Sequence, residues 1–324
     1  LKKRLIIGLI ISLIFLYLAI RQIDFSLVKD AFAKADYLWG IPTAAAIIFT
    51  MWLRALRWRY LMLGMKSIRN SSLFSSVMIG FMANNILPAR LGELVRAVSI
   101  AKKESISRSG SFATIMVERI FDSFMILFMM GLCLIIFPFP YLVRKAGYMA
   151  FIVNFLALIV LFALSRWPIK TKGIIQLVAH FLPHKIGSFT LRLMDRFVDG
   201  LGVFHSGKSV FMVSLYTIAI WIITALSNYF IFLALDLRPP LIATFVVLVI
   251  VALAVMLPAS PGFIGTFQYG CMVALGLFGY PKEIAFPFSV ILWACQYFPV
   301  TLLGLYYLRK EAFSLKKVSE ESVV

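Results

Sequence analysis

Charge is what this 324-residue chain has least of: charged residues make up 14% of it and hydrophobic residues 62%. An ordinary soluble domain is roughly 25% charged, so a soluble globular fold would need a very large core under almost no polar surface, and it is excluded. Cysteine is scarce as well. Cys133, Cys271 and Cys295 lie inside apolar segments at no motif spacing, which argues against disulfides and thiolate metal sites and leaves them as small buried hydrophobes. The three histidines, His180, His184 and His205, fall in one polar stretch without a ligand pattern. No metal or other cofactor is expected. The G-x-S-x-G elbow, the P-loop and H-E-x-x-H are all missing, so no enzyme activity is expected from motifs.

Long apolar runs are what the chain does have. Crossing a bilayer core of about 30 Å takes roughly 20 helical residues, and apolar length places full spans near 5–20, 38–53, 112–137, 148–164, 209–235 and 284–307. The basic flank of the first run resembles a signal peptide, but Ile20, Arg21 and Gln22 offer no small-residue cleavage pattern, so the run is read as a retained span. Two further runs, 73–87 and 241–257, are apolar but short, and each ends in Leu-Pro-Ala. Section 165–208 is polar, with Leu193, Phe197 and Leu201 at helical intervals, the pattern of an amphipathic surface helix. The expected fold is an all-α polytopic membrane protein: one integral membrane domain over 1–308 and a charged tail over 309–324.

The net charge of +18 sits mostly between the spans, which fits the positive-inside bias and attraction to anionic lipid better than nucleic acid. If 73–101 and 241–278 turn back as re-entrant hairpins, one side collects 22 basic residues and the other seven, with Arg90, Arg96 and Arg119 at membrane depth. The richer side, holding both termini, is expected to be cytoplasmic. The count equally tolerates 241–278 crossing as two full spans. "LPARLG" at 87–92 and "LPASPG" at 257–262 share four residues at identical offsets. Entering from opposite faces, they read as an inverted repeat whose broken helices meet near the midplane.

Two constellations carry the candidate chemistry. Arg90, Glu93 and Arg96 precede Glu118, Arg119 and Asp122 on the next span; three arginines against three carboxylates sum to zero. A charge at this depth costs about 2.5–3.5 kcal/mol even on the mild insertion scale, so the set must pair. It either staples the first hairpin to span 112–137 or lends an arginine fork to a lipid phosphate. Arg90 and Arg119 rank ahead of Arg96, which is placed toward the cytoplasmic interface. In "LPASPGFIGTFQYG", Pro258 and Pro261 break the helix, and a new helix starting near Gly262 would aim free N–H groups at the midplane. Gly262, Gly265, Thr266 and Gln268 are therefore candidate binding residues, against the alternative of a plain packing turn. "RALRWRY" from Arg54 is read as an interfacial anchor of the second span, with a role in collecting anionic lipid as the alternative.

"LPARLGELVRA", "ERIFD" and "PGFIGTFQ…GLFGYPKE" together resemble the membrane region of bacterial lysylphosphatidylglycerol synthases, over roughly 5–308. That resemblance implies a lipid flippase region. In the two-part synthases a separate cytoplasmic domain performs the tRNA-dependent aminoacyl transfer. Because the chain stops just after its last span, a stand-alone form lacking the synthase domain is expected, with a separately encoded synthase as one conceivable partner and a homodimer as another. The resemblance also implies membrane lipids as partners, either an anionic phospholipid or, as in archaeal relatives tied to lipid-linked glycan assembly, a polyprenyl-phosphate lipid. Transferase or accessory activity in such synthesis is the alternative reading. A prokaryotic cell membrane is the implied location.

Overall fold

A computed structural model describes residues 2–87, 91–137, 206–257 and 260–311, with isolated positions between 141 and 173. Ten α-helices are described: α1 (Lys2–Ile20), α2 (Phe25–Lys34), α3 (Gly40–Met62), α4 (Asn70–Ile86), α5 (Gly92–Glu104), α6 (Arg108–Ile136), α7 (Gly207–Ala234), α8 (Ile242–Ala254), α9 (Thr266–Gly276) and α10 (Lys282–Lys310). Their ends follow ordinary capping chemistry. Asp24 accepts from the Ser26 N–H at 2.8 Å to open α2, and Ser107 accepts from Gly110 at 3.2 Å to open α6. Ser105, in the left-handed region at φ 55°, closes α5.

Four of these segments are long and apolar enough to cross a membrane: Tyr37–Met62, which includes a short 3-10 turn ahead of α3, then α6, α7 and α10. The pair α1 and α2 is bent by 88° and would make a fifth if it is one broken span. Six full spans were expected. The one at 148–164 lies largely outside the described residues, as do most of the amphipathic section 165–208 and the tail from 312. The second span was expected to stop at residue 53. It continues to Met62, because no helix breaker follows Arg54 until Gly64.

Side-chain partners fix the helix directions. α6 and α7 both run antiparallel to α3, since Trp58 donates to Thr114 at 2.9 Å while Arg54 faces Asp122, and Arg57 reaches Thr217 while Thr43 lies 3.5 Å from the Ser227 carbonyl. α4 and α5 form an antiparallel hairpin, with Ser76 against Ser99 at 3.1 Å and the Asn84 side-chain oxygen accepting from the Gly92 N–H at 2.8 Å. The two backbones nearly touch here: a Cβ on Gly92 would lie 2.1 Å from the Gly80 carbonyl oxygen. α8 and α9 form the other hairpin, with Gly270 against Ala254 and Val251.

The hairpins open on opposite ends of the bundle. The α4–α5 pair opens beside the end of α3, the start of α6 and the end of α10, where Lys66 bonds Glu104 and Lys103 bonds Glu311. The α8–α9 pair opens beside the end of α7, where Asn228 donates to the Thr244 carbonyl at 3.2 Å. Their tips meet inside: a Cβ on Gly262 would stand 3.7 Å from the Asn85 carbonyl oxygen. With 11 to 17 residues per arm, each arm is about 16–26 Å long, short of the bilayer core.

Candidate functional site

α3, α5 and α6 converge on a charged cluster. α3 supplies Arg54 and Arg57 three residues apart on one face; α5 supplies Glu93 and Arg96; α6 supplies Glu118, Arg119 and Asp122. Glu118 is fully buried and is the hub. It takes both nitrogens of the Arg96 fork at 2.9 Å, Arg57 at 3.0 Å and Arg119 at 2.9 Å. Asp122 takes the Arg57 fork at 2.7 and 3.2 Å and the Trp221 indole N–H at 3.0 Å, with Arg54 and Arg119 each 3.5 Å away. Arg57 also donates to the Thr217 hydroxyl at 2.8 Å. Arg96 lies on Trp58, its guanidinium carbon 3.8 Å from the ring centroid, a desolvated cation–π contact.

Arg54 differs from its neighbours. Its one ion pair is the 3.5 Å contact with Asp122, it makes no hydrogen bond to described residues, and it stands 5.2 Å from the Phe81 ring centroid. The Nε atoms of Arg54, Arg57, Arg96 and Arg119 are all buried without a partner. Such groups are costly to bury unsatisfied.

Four arginines therefore surround two buried carboxylates, and Glu93, on the cavity wall, makes no ion pair with a described residue. The neutral balance read from the sequence omitted Arg54 and Arg57. With Glu93 included, the described cluster carries one excess positive charge. Arg96 is 2% exposed, because Gly80 lets α5 sit directly on α4, with Arg96 Cβ 2.6 Å from where a Gly80 Cβ would be. Arg90 lies outside the described residues.

Beside the cluster is a cavity of about 340 Å³. Its lining includes Arg54, Glu93, Arg119 and Asp122, together with Trp221 and Asn228 from α7 and Trp293, Gln296 and Tyr297 from α10. Gly262 is part of the lining. It sits at φ +73°, gives its carbonyl to the Trp293 indole at 2.8 Å, and would bring a Cβ to 3.0 Å from the Tyr297 ring, so this turn favours glycine.

Phe263 and Phe267 of that motif line the cavity as well, but its other candidate binding residues do not. α9 begins at Thr266 and not near Gly262, because Gly262, Phe263 and Gly265 all adopt positive φ and interrupt the helix. The Gly265 N–H is taken by the Gln268 side-chain oxygen at 2.7 Å, and Thr266 donates to the Phe263 carbonyl at 3.1 Å. Gly265 is instead a crossing point: a Cβ there would lie 2.3 Å from the Ser12 carbonyl of α1. Gly265, Thr266 and Gln268 are thus packed and capped among themselves and α1, apart from the cavity lining.

Arg54 and Arg57 were read from the sequence as part of an interfacial anchor, and Trp221 was not singled out. The usable signal for the first two was their helical spacing with Ile47, Met51 and Trp58 in an unbroken run.

The family model for the lysylphosphatidylglycerol synthase TM region matches residues 5–304. Among curated proteins, the chain is 25% identical to "Glycosyltransferase AglD" of Haloferax volcanii over 82% of its own length and 48% of that protein, so it spans about half of that relative. It is 25% identical to a UPF0104 membrane protein of Methanocaldococcus jannaschii, covering 76% of this chain and 77% of the relative. A UPF0104 membrane protein of Methanothermobacter thermautotrophicus is 22% identical, covering 86% and 87%. No solved structure matches. Family coverage and apolar helices together make this a multi-pass membrane protein. The chain belongs to the family of the lysylphosphatidylglycerol synthase TM region.

Proposed function

We propose that the protein is a flippase-like transporter that moves a phosphate-bearing lipid between leaflets of a prokaryotic cell membrane, with both termini cytoplasmic and the two helical hairpins re-entrant. The observation that carries this reading is the uncompensated positive charge of the buried cluster, with the forks of Arg54 and Arg119 on the cavity wall. Intramembrane ionisable groups mark transport pathways as a rule, and a cation in excess of its carboxylates needs an anion to complete it. A lipid phosphate supplies that anion and accepts guanidinium forks bidentately. Arg57 and Arg96 hold the carboxylates in place; Arg54 and Arg119 meet the substrate.

The test is leaflet exchange of a fluorescent phospholipid in proteoliposomes. Arg119→Ala and Arg54→Gln should each slow exchange at least about tenfold, the effect of losing one charge-assisted contact. Exchange at the unmodified rate in both variants would sink the reading. A second reading, a membrane-embedded transferase in lipid-linked glycan synthesis, is favoured by the name of the Haloferax relative. Product formation by purified protein in detergent, where no second leaflet exists, would establish it instead.

A further inference from the structure

Glu93 stands apart from the other carboxylates of the site. It lies in the first turn of α5 and lines the same cavity as Arg54, Arg119 and Asp122. Glu118 and Asp122 are each committed to guanidinium groups. The Glu93 side chain makes no hydrogen bond and no ion pair to a described residue. It is near enough to Arg119 for the two charges to interact, yet Arg119 turns an end nitrogen to Glu118 at 2.9 Å and keeps its side chain 35% exposed. A carboxylate at a helix start favours the helix dipole, but that role does not call for a place in a cavity lining.

A phosphate resting on Arg54 and Arg119 would share a cavity of about 340 Å³ with this carboxylate. Like charges at such range repel more strongly than in bulk water. Weak binding is an advantage here. A lipid substrate is the membrane itself, so its site stays saturated, and turnover depends on how fast the headgroup leaves.

Resting on the phosphate reading above, we infer that Glu93 is a built-in competitor of the transported phosphate, lowering the affinity of Arg54 and Arg119 for the headgroup and speeding its release. With Glu93 ionised, the four arginines of the described cluster exceed its three carboxylates by one charge, which a single phosphodiester neutralises. Without that carboxylate the excess is two, and the same headgroup is held more tightly.

Purified protein in detergent is titrated with dioctanoyl phosphatidylglycerol, an anionic lipid without an ammonium group. Tryptophan fluorescence follows binding, since Trp221 and Trp293 line the cavity. Glu93→Gln keeps the shape of the side chain and should bind this lipid about tenfold more tightly, a shift of about 1.4 kcal/mol. In proteoliposomes the same variant should exchange fluorescent phosphatidylglycerol between leaflets more slowly than the unmodified protein. Glu93→Asp keeps the charge and should resemble the unmodified protein in both assays. Unchanged or weaker phosphatidylglycerol binding by Glu93→Gln overturns the inference, as does tighter binding without slower exchange, or a Glu93→Asp variant that behaves like Glu93→Gln. Dioctanoyl phosphatidylethanolamine checks the opposite role. If Glu93→Gln weakens this lipid and leaves phosphatidylglycerol unchanged, Glu93 holds an ammonium group and the inference falls. The underlying reading fails separately, if Arg119→Ala and Arg54→Gln both bind phosphatidylglycerol as tightly as the unmodified protein does.

Discussion

Replacing Glu118 by glutamine tests whether the arginine cluster is held together as the geometry requires. The side chain keeps its shape but loses its charge and points an amide at three guanidinium groups. Four charge-assisted contacts end on this carboxylate at 2.9–3.0 Å, and at about 1.5–3 kcal/mol each a naive sum would reach roughly 6–12 kcal/mol. That sum overshoots, because Asp122 still holds Arg57 bidentately and stays 3.5 Å from Arg119. Arg96 has no second carboxylate within 4 Å among the described residues. The loss therefore reduces to one stranded buried cation, about 3–5 kcal/mol. Unfolding by SDS in mixed micelles, followed by circular dichroism, measures it. Adding Arg96→Met to Glu118→Gln removes the stranded charge and should restore about 2 kcal/mol, a coupling within the usual range for contacting pairs. A loss below about 1 kcal/mol in the single variant, or no recovery in the double one, would refute the network as described.

Arg54→Gln should change stability by about 1 kcal/mol or less in the same assay, since it gives up one long ion pair and relieves an excess buried charge. Gly92→Ala and Gly304→Ala place a Cβ 2.1 Å from the Gly80 oxygen and 2.2 Å from Met82 Cβ, so both should lower the yield of monodisperse protein on size exclusion, while Gly64→Ala, with nothing within 4 Å, should not. Trp221→Phe removes the indole donor to Asp122 at 3.0 Å and should cost about 1.5–3 kcal/mol of unfolding free energy; an unchanged value would mean that Asp122 does not depend on that bond.

The stretch "LPARLGELVRA" was legible as a break after a short apolar run, and Asn84 just before it does what a polar group beside freed backbone should do, holding the Gly92 N–H. Glu93, Arg96, Glu118, Arg119 and Asp122 were legible too, because charge in an apolar run stands out. Arg54 and Arg57 were not. In sequence an arginine at the end of a span has the same appearance whether it meets headgroups or a carboxylate two helices away. Gln268 erred the other way: a polar residue beside glycines looked available, and its side chain is spent on the Gly265 N–H.

By itself the sequence determined the membrane class, the long apolar helices α3, α6, α7 and α10 and the two Leu-Pro-Ala breaks, since these follow from local apolar length, breakers and charge, each readable within one or two turns. Only the tertiary structure decided which charges neutralise one another, that the hairpin tips meet at Gly262, and that one cavity is lined by Arg54 and Arg119 together with Asn228, Trp293, Gln296 and Tyr297. Those depend on antiparallel helices placing residues 65 and 160 positions apart within hydrogen-bonding distance of Arg57. No local pattern encodes that distance.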